Sequence, residues 1–400
     1  MGQIDNRYKT LKTPCFIFDV KELERSVSGF YTALYSHFSN AIVGYSVKTN
    51  STPYCISKAK EFGVYAEVVS FDEYELALLC GFAENRIIYN GPMKSKETFL
   101  RALQNGAVVN IETKRELQWL KDLNSSKSYK VGIRLNINIS HIAPNEADGD
   151  NDNSRFGFSE ETNEFSDAIN YINKLPNVKL TGLHIHRTAH SRSVNFYDKS
   201  IRYTCSIIRK YGLDLDYIDV GGGFYGIFPD KPTYQQYSDA FYNALKDYGF
   251  DYLRVIVEPG NALVASCFSF LSEVIDVKKV EHDLWFITTD GSRNDIDPFF
   301  RKTNYLDEEL YATTENSSVN QQIISGCTCL EYDRMFTLKD RPRLDVGDRI
   351  LYHNVGAYTM CLTPLFIRYL PNIYVFENNE YMLVRKKWTA NEYIEKSIIK

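Results

Sequence analysis

The sequence predicts an α/β fold, a (β/α)8 TIM barrel followed by a C-terminal β-sandwich or β-barrel domain, on three observations. From residue 40 onward, short β-branched runs alternate with stretches whose apolar residues recur at helical spacing. Eight such strand–helix units fit into about 220 residues, which matches a closed barrel in number and length. After about residue 265 the helical spacing fades, and strand-like runs separated by polar turns replace it.

In order, the barrel strands are "IVGYSVK", "VYAEVVS", "RIIYNG", "AVVNIE", "KVGIRLNI", "KLTGLHIH", "DYIDVGGG" and "LRVIVEP". Continuous apolar runs of this length suit strands of a parallel sheet buried on both faces. Between the first five lie "PYCISKAKEFG", "FDEYELALLCGF", "SKETFLRALQNG" and "TKRELQWLKDL", each periodic and most closed by Gly or Asn, as helices are. The acidic "NEADGDNDNS" (145–154) reads as a mobile loop between strands five and six. "FLSEVIDVKKV", "LWFITTDG", "QQIISGC", "DRILYHNVGAYT" and "YMLVRKKW" then form the β domain. The early strand "TPCFIFDV" precedes the helix "KELERSVSGFYTAL" and is expected to pack with that domain. The expected boundaries are 24–265 for the barrel and 1–23 plus 266–400 for the β domain.

Composition narrows the function classes. A net charge of -5 with interspersed signs argues against nucleic acid or an anionic membrane as partner. No apolar run approaches the roughly 20 residues a membrane span needs, and the N-terminus lacks a signal-peptide core. The eight cysteines are scattered without zinc-type spacing, so reduced thiols and a cytoplasmic location are expected.

Chemistry gathers at the carboxyl ends of the predicted strands, the face on which barrels of this kind build active sites. Strand one ends in Lys48, strand two leads to Glu67 and Ser70, and strand three to Asn90. Strand five carries Arg134, strand six His184 and His186, strand seven Gly221, Gly222 and Gly223, and strand eight Glu258. Three glycines in the loop after strand seven let backbone N–H groups approach a phosphate. A phosphate and an amine at one site suggest pyridoxal 5′-phosphate, with Lys48 as its Schiff-base partner, Glu258 on the pyridine nitrogen and His186 flat against the ring. A bland reading remains for each: a snorkelling Lys48, an ion pair between Glu258 and Arg134, and two satisfied core imidazoles. A metal at "HIH" is rejected for want of a third ligand at sensible spacing.

With these residues in hand, the sequence resembles the fold-type III PLP-dependent decarboxylases of diaminopimelate, ornithine and arginine, and more distantly alanine racemase. "YSVKTN" is similar to Y-x-V-K-x-N, "GLHIH" to G-L-H-x-H, "SRFGF" to S-K-F-G, "GCTCLEYD" to G-P-x-C-x-x-x-D and "VGAYTM" to G-A-Y-T-M. The resemblance implies a catalytic set of Lys48, His186 and Cys329, with Cys329 returning a proton to Cα. It also implies that Tyr358 contacts the cofactor phosphate. In this family the cysteine comes from the neighbouring subunit, so a head-to-tail homodimer with shared sites is implied.

Departures from the pattern bear on substrate. Thr188 and Ala189 replace the Gly and Ser that follow the histidine pair, so one phosphate hydroxyl is either lost or supplied by Thr188 or Ser191. Asn261 follows "EPG" and Asp297 precedes Pro298, where diaminopimelate decarboxylases carry carboxylate-gripping arginines. Leu330 follows Cys329, where an acidic residue is usual, with Glu331 next. A diaminopimelate substrate is therefore disfavoured, and Asp295, Asp297 or Glu331 is expected to hold a distal cation. The competing readings are an amino-acid racemase on the same scaffold and a non-catalytic PLP-binding regulatory protein.

Overall fold

The computed structural model describes residues 2–147, 154–187, 191–281, 283–312 and 316–398. Thr188 and Ala189, and most of the acidic loop expected at 145–154, lie outside the described residues. The chain divides into two compact units, Glu24–Leu263 and Met1–Leu23 with Val264–Lys400.

The first unit is a closed barrel of eight parallel strands. They are β1 (Ile42–Ser46), β2 (Tyr65–Ser70), β3 (Ile87–Met93), β4 (Val108–Ile111), β5 (Tyr129–Asn136), β6 (Val178–His184), β7 (Tyr217–Asp219) and β8 (Arg254–Val257). Each pairs with the next, and β8 returns to β1 through Ile256–Ile42 and Val257–Val43. About three-quarters of their residues are buried, as continuous apolar runs require.

The crossover helices begin where the sequence supplies a cap. Ser70, Ser95, Thr113, Ser193 and Thr233 each accept a hydrogen bond from the backbone N–H three residues on. Each such cap is worth about 1 kcal/mol. Ser70, grouped above with the strand-end chemistry, thus has its Oγ committed to starting the helix Phe71–Leu79.

The second unit is a ten-stranded sheet. Its long strand Phe268–Glu281 pairs antiparallel with Cys15–Asp19, Arg349–Tyr352 and Leu284–Thr289. Cys15–Asp19 also runs parallel to Asn372–Glu377. Ser318–Ser325 and Arg334–Pro342 form an antiparallel pair whose connecting segment is 326–333.

Candidate active site

Several polar residues at the mouth of the barrel bond to side chains on other strands. Lys48 follows β1 in a three-residue 3-10 turn, Val47–Thr49, with its side chain about one-third exposed. Its Nζ lies 2.7 Å from Oε2 of the buried Glu67 on β2, which also accepts from Ser46 Oγ at 2.6 Å. Asn90 on β3 donates its amide to Glu67 Oε1 at 3.2 Å and to Glu258 Oε1 at 2.5 Å. Asn110 on β4 supports Asn90 through a 2.8 Å bond and is itself fixed by Tyr217 OH at 2.8 Å.

Glu258 follows β8 and is buried together with Asp219 and His184. The two carboxyl groups are hydrogen-bonded to each other and titrate in opposite directions. Burial, then the charge of Glu258, raises Asp219 well above the ordinary carboxylate range, so it keeps its proton. Burial also opposes ionisation of Glu258, but His184, the Asp219 hydrogen bond and Lys48 outweigh it and hold this carboxyl below its ordinary range. His184 Nε2 stands 3.6 Å from Glu258 Oε2, while its Nδ1 has no hydrogen-bond partner among the described residues.

Arg134 does not pair with Glu258, so the structural ion pair considered for those two residues is not formed. Its guanidinium donates to Glu112 Oε1 at 2.9 Å and to the His186 carbonyl at 2.8 Å, and it lies 4.8 Å from the Phe156 ring centroid. Glu112 also receives Gly91 N–H at 2.9 Å. Burial opposes its ionisation, yet Arg134 first and Lys94 next hold it below its ordinary value.

His186 accepts the Gly222 N–H on Nδ1 at 3.1 Å, which leaves Nε2 as the protonated nitrogen of the neutral ring. Burial, with Arg134, Lys48 and His184 adding to it, pushes its pKa well below 6.5. The rings of His184 and His186 are 6.3 Å apart and 15° from parallel.

Three glycines follow β7 because nothing larger fits. Gly221 has φ 69°, and a Cβ there would lie 2.4 Å from His186 Nδ1; a Cβ on Gly222 would lie 2.3 Å from the Glu258 carbonyl oxygen. The Gly222 carbonyl is in turn tied to Tyr197 OH at 2.8 Å.

Two carboxyl groups on other strands stand beside the first histidine of "HIH": His184, Asp219 and Glu258 present ligand atoms within 4.8 Å of one another. Spacing within one motif misses groups that the barrel brings together. The proton retained by Asp219 already accounts for this cluster.

Pyridoxal phosphate fits the barrel site on three counts. There is a cradle that a Cβ would fill, a buried carboxylate held ionised, and an amine on the adjoining strand end.

The remaining expected residues lie in the sheet unit. Asp333 organises the segment 326–333: its carboxylate accepts from Thr328 N–H at 3.1 Å, Thr328 Oγ1 at 2.5 Å, Ser292 Oγ at 3.1 Å and Arg293 N–H at 2.8 Å. Gly326 is required there, since its Cβ would meet that carboxylate at 2.3 Å. Cys329 is exposed at the tip, Leu330 is half-buried and Glu331 is exposed, 3.8 Å from Arg334. Tyr358 is 42% exposed with φ 55°, outside any strand, so it does not serve as strand packing.

Asp295 and Asp297 are not open to a distal cation. Asp295 is buried against Arg368 at 3.0 Å and pushed up to about 6 by burial. Asp297 is saturated by Arg293, the N–H groups of Arg301 and Lys302, and Tyr305 OH. Asp219, Glu112, Asn110 and the buried pair Lys94–Glu116 went unremarked in the sequence. Asp219 was legible, two residues before "GGG" at the end of a strand.

Residues 21–265 match the family described as pyridoxal-dependent decarboxylase, pyridoxal binding domain. The chain is 27% identical to the diaminopimelate decarboxylase of Bacillus subtilis (strain 168) over 418 residues, covering 99% of this chain and 94% of that protein. It is 26% identical to the L-glutamyl-(BtrI acyl-carrier protein) decarboxylase of Niallia circulans, covering 96% and 94%. Among solved structures, diaminopimelate decarboxylase from M. jannaschi superposes with a TM-score of 0.86 at 22% identity, covering 98% of this chain and 94% of that one.

Proposed function

This chain belongs to the pyridoxal-dependent decarboxylases of the ornithine, arginine and diaminopimelate type, and we propose that its substrate is an amino acid or amino-acid conjugate other than diaminopimelate. It is a carboxy-lyase whose cofactor is pyridoxal 5′-phosphate. When bound, that cofactor supplies an aldehyde for the substrate amine and a ring that accepts the electron pair left by departing carbon dioxide.

In this reading Lys48 would be the amine that holds the cofactor's aldehyde. Gly221, Gly222 and Gly223 would hold the phosphate through their N–H groups, and Tyr358 would supply it a hydroxyl. Glu258 keeps the pyridine nitrogen protonated, and Asp219, by retaining its own proton, keeps Glu258 charged. His186 would support the ring as a neutral imidazole, and Arg134 fixes the backbone carrying it. Cys329 delivers a proton to Cα from a neighbouring subunit in a head-to-tail homodimer. The exposure of Cys329 at its hairpin tip supports that last assignment.

The observation that carries the reading is a buried, ionised Glu258 set beside the glycine cradle, on the strand adjoining the one that leads to Lys48. For the substrate, Asn261 and Asp297 stand where the resemblance calls for arginines. Neither offers the fork that clamps a carboxylate. Of the three acids expected to meet a distal cation, Glu331 is the open one. A carrier-bound glutamyl group, named for the Niallia circulans relative, belongs to the class of conjugates considered.

Carbon dioxide release from a panel of diaminopimelate, lysine, ornithine, arginine, glutamate and carrier-tethered glutamate tests the reading. Diaminopimelate is expected to fall at least roughly a hundredfold below the best substrate in kcat/KM, about 2.7 kcal/mol. Diaminopimelate as the best substrate overturns the proposed selectivity.

A further inference from the structure

The amino-end face of the barrel, remote from Lys48 and Glu258 along the strands, holds a separate cavity of about 550 Å3. Its wall includes Ile42, Tyr65 and Arg254, the first residues of β1, β2 and β8, and Arg86, which immediately precedes β3. Among the described residues two arginines line it and no aspartate or glutamate does.

Several barrel-surface cations have an acid beside them: Lys130 with Asp216 at 2.8 Å, Lys179 with Asp214 at 2.7 Å, Arg101 with Glu84 at 2.7 Å. The two cavity arginines do not. The exposed Arg254 side chain has no ion pair or hydrogen bond among the described residues. Arg86 donates to the Gly63 carbonyl and stacks 4.2 Å from the Tyr65 ring centroid. Tyr31 OH reaches the same carbonyl at 2.9 Å, so one guanidinium is held in place while the other is free to swing onto a ligand. Tyr31 and Tyr35 stand with ring centroids 5.2 Å apart, and Tyr35 is 53% exposed, offering a flat apolar face beside the two cations.

We propose that this cavity binds a small aromatic phosphate monoester. Its dianion sits between Arg86 and Arg254, matched by two guanidinium forks, and its ring lies against Tyr35. A role confined to stability, the ordinary reading of this face of a barrel, gives no reason for two cations to line one cavity with no acid.

Calorimetric titration of the cofactor-loaded enzyme tests this, because the cofactor's own phosphate site is then filled. The probes are adenosine monophosphate, inorganic phosphate and adenosine. Adenosine monophosphate is expected to bind saturably, phosphate more weakly and adenosine not at all. Arg254→Gln, at an exposed and unpaired position, is expected to weaken adenosine monophosphate at least tenfold and to leave decarboxylation unchanged. Tyr35→Leu is expected to weaken adenosine monophosphate but not phosphate. The absence of saturable binding, or equal affinity in the Arg254→Gln enzyme, overturns the proposal.

Discussion

Asp219 holds the proton that allows Glu258 to stay charged. Both carboxyl groups are buried and bonded to each other, and burial drives the first above its ordinary range while His184 and Lys48 help keep the second below it. Asp219→Asn keeps a neutral donor of the same shape and is expected to leave kcat within a few-fold of wild type. Glu258→Gln is expected to lower it on the order of a hundredfold to a thousandfold, the cost of removing a fixed electrostatic partner from a dry site. Steady-state kinetics on the two variants separates these outcomes.

Gly222→Ala is expected to weaken cofactor binding tenfold or more, about 1.4 kcal/mol. The added Cβ would press on the Glu258 carbonyl oxygen, a backbone atom that cannot swing aside. Titrating cofactor-free protein with pyridoxal phosphate and following absorbance measures the change.

His186 gives a signed pH dependence. Its folded pKa lies well below 6.5, so between those two values the unfolded chain binds a proton that the folded chain does not. The His186 contribution to stability is therefore complete above 6.5 and declines as pH falls through that window. Urea midpoints of the cofactor-free protein are expected to drop more steeply toward acid pH for wild type than for His186→Gln.

Lys94 and Glu116 form an ion pair at 3.0 Å with both side chains fully buried. Lys94→Met strands the Glu116 charge in the core and is expected to cost about 3–5 kcal/mol. Adding Glu116→Leu is expected to restore most of the loss. Urea unfolding of the single and double variants provides the comparison.

The proposed homodimer with shared sites predicts complementation. Lys48→Ala and Cys329→Ala homodimers are each expected to be inactive, while an equimolar mixture allowed to exchange regains roughly a quarter of wild-type activity, because half the dimers then carry one intact site. A mixture that stays inactive after demonstrated exchange contradicts the shared site.

The barrel was readable because its strands are unbroken β-branched runs and its helices are periodic, so both repeats are local. Lys48, Gly221–Gly223 and Glu258 were readable because they stand at strand ends, where side chains leave the core. Asn110 and Glu112 were not: at the end of "AVVNIE" they look like a fraying strand, and only barrel closure brings Asn110 against Tyr217 and Glu112 against Arg134. Asp297 misled for a related reason. An acid in place of an expected arginine suggests altered ligand contacts, but its neighbours Arg293, Arg301 and Lys302 absorb it first.

The Asp333 hairpin has a consequence for how specificity can change. Four donors anchor one carboxylate at the base of the turn, whereas at its crest Leu330 is half-buried and Glu331 and Tyr332 are exposed. The crest can therefore be rewritten cheaply, residue by residue, without disturbing the stave-to-stave lattice inside the barrel. Divergence in what these enzymes accept should accumulate on that crest, and laboratory evolution toward a new amine product should begin there.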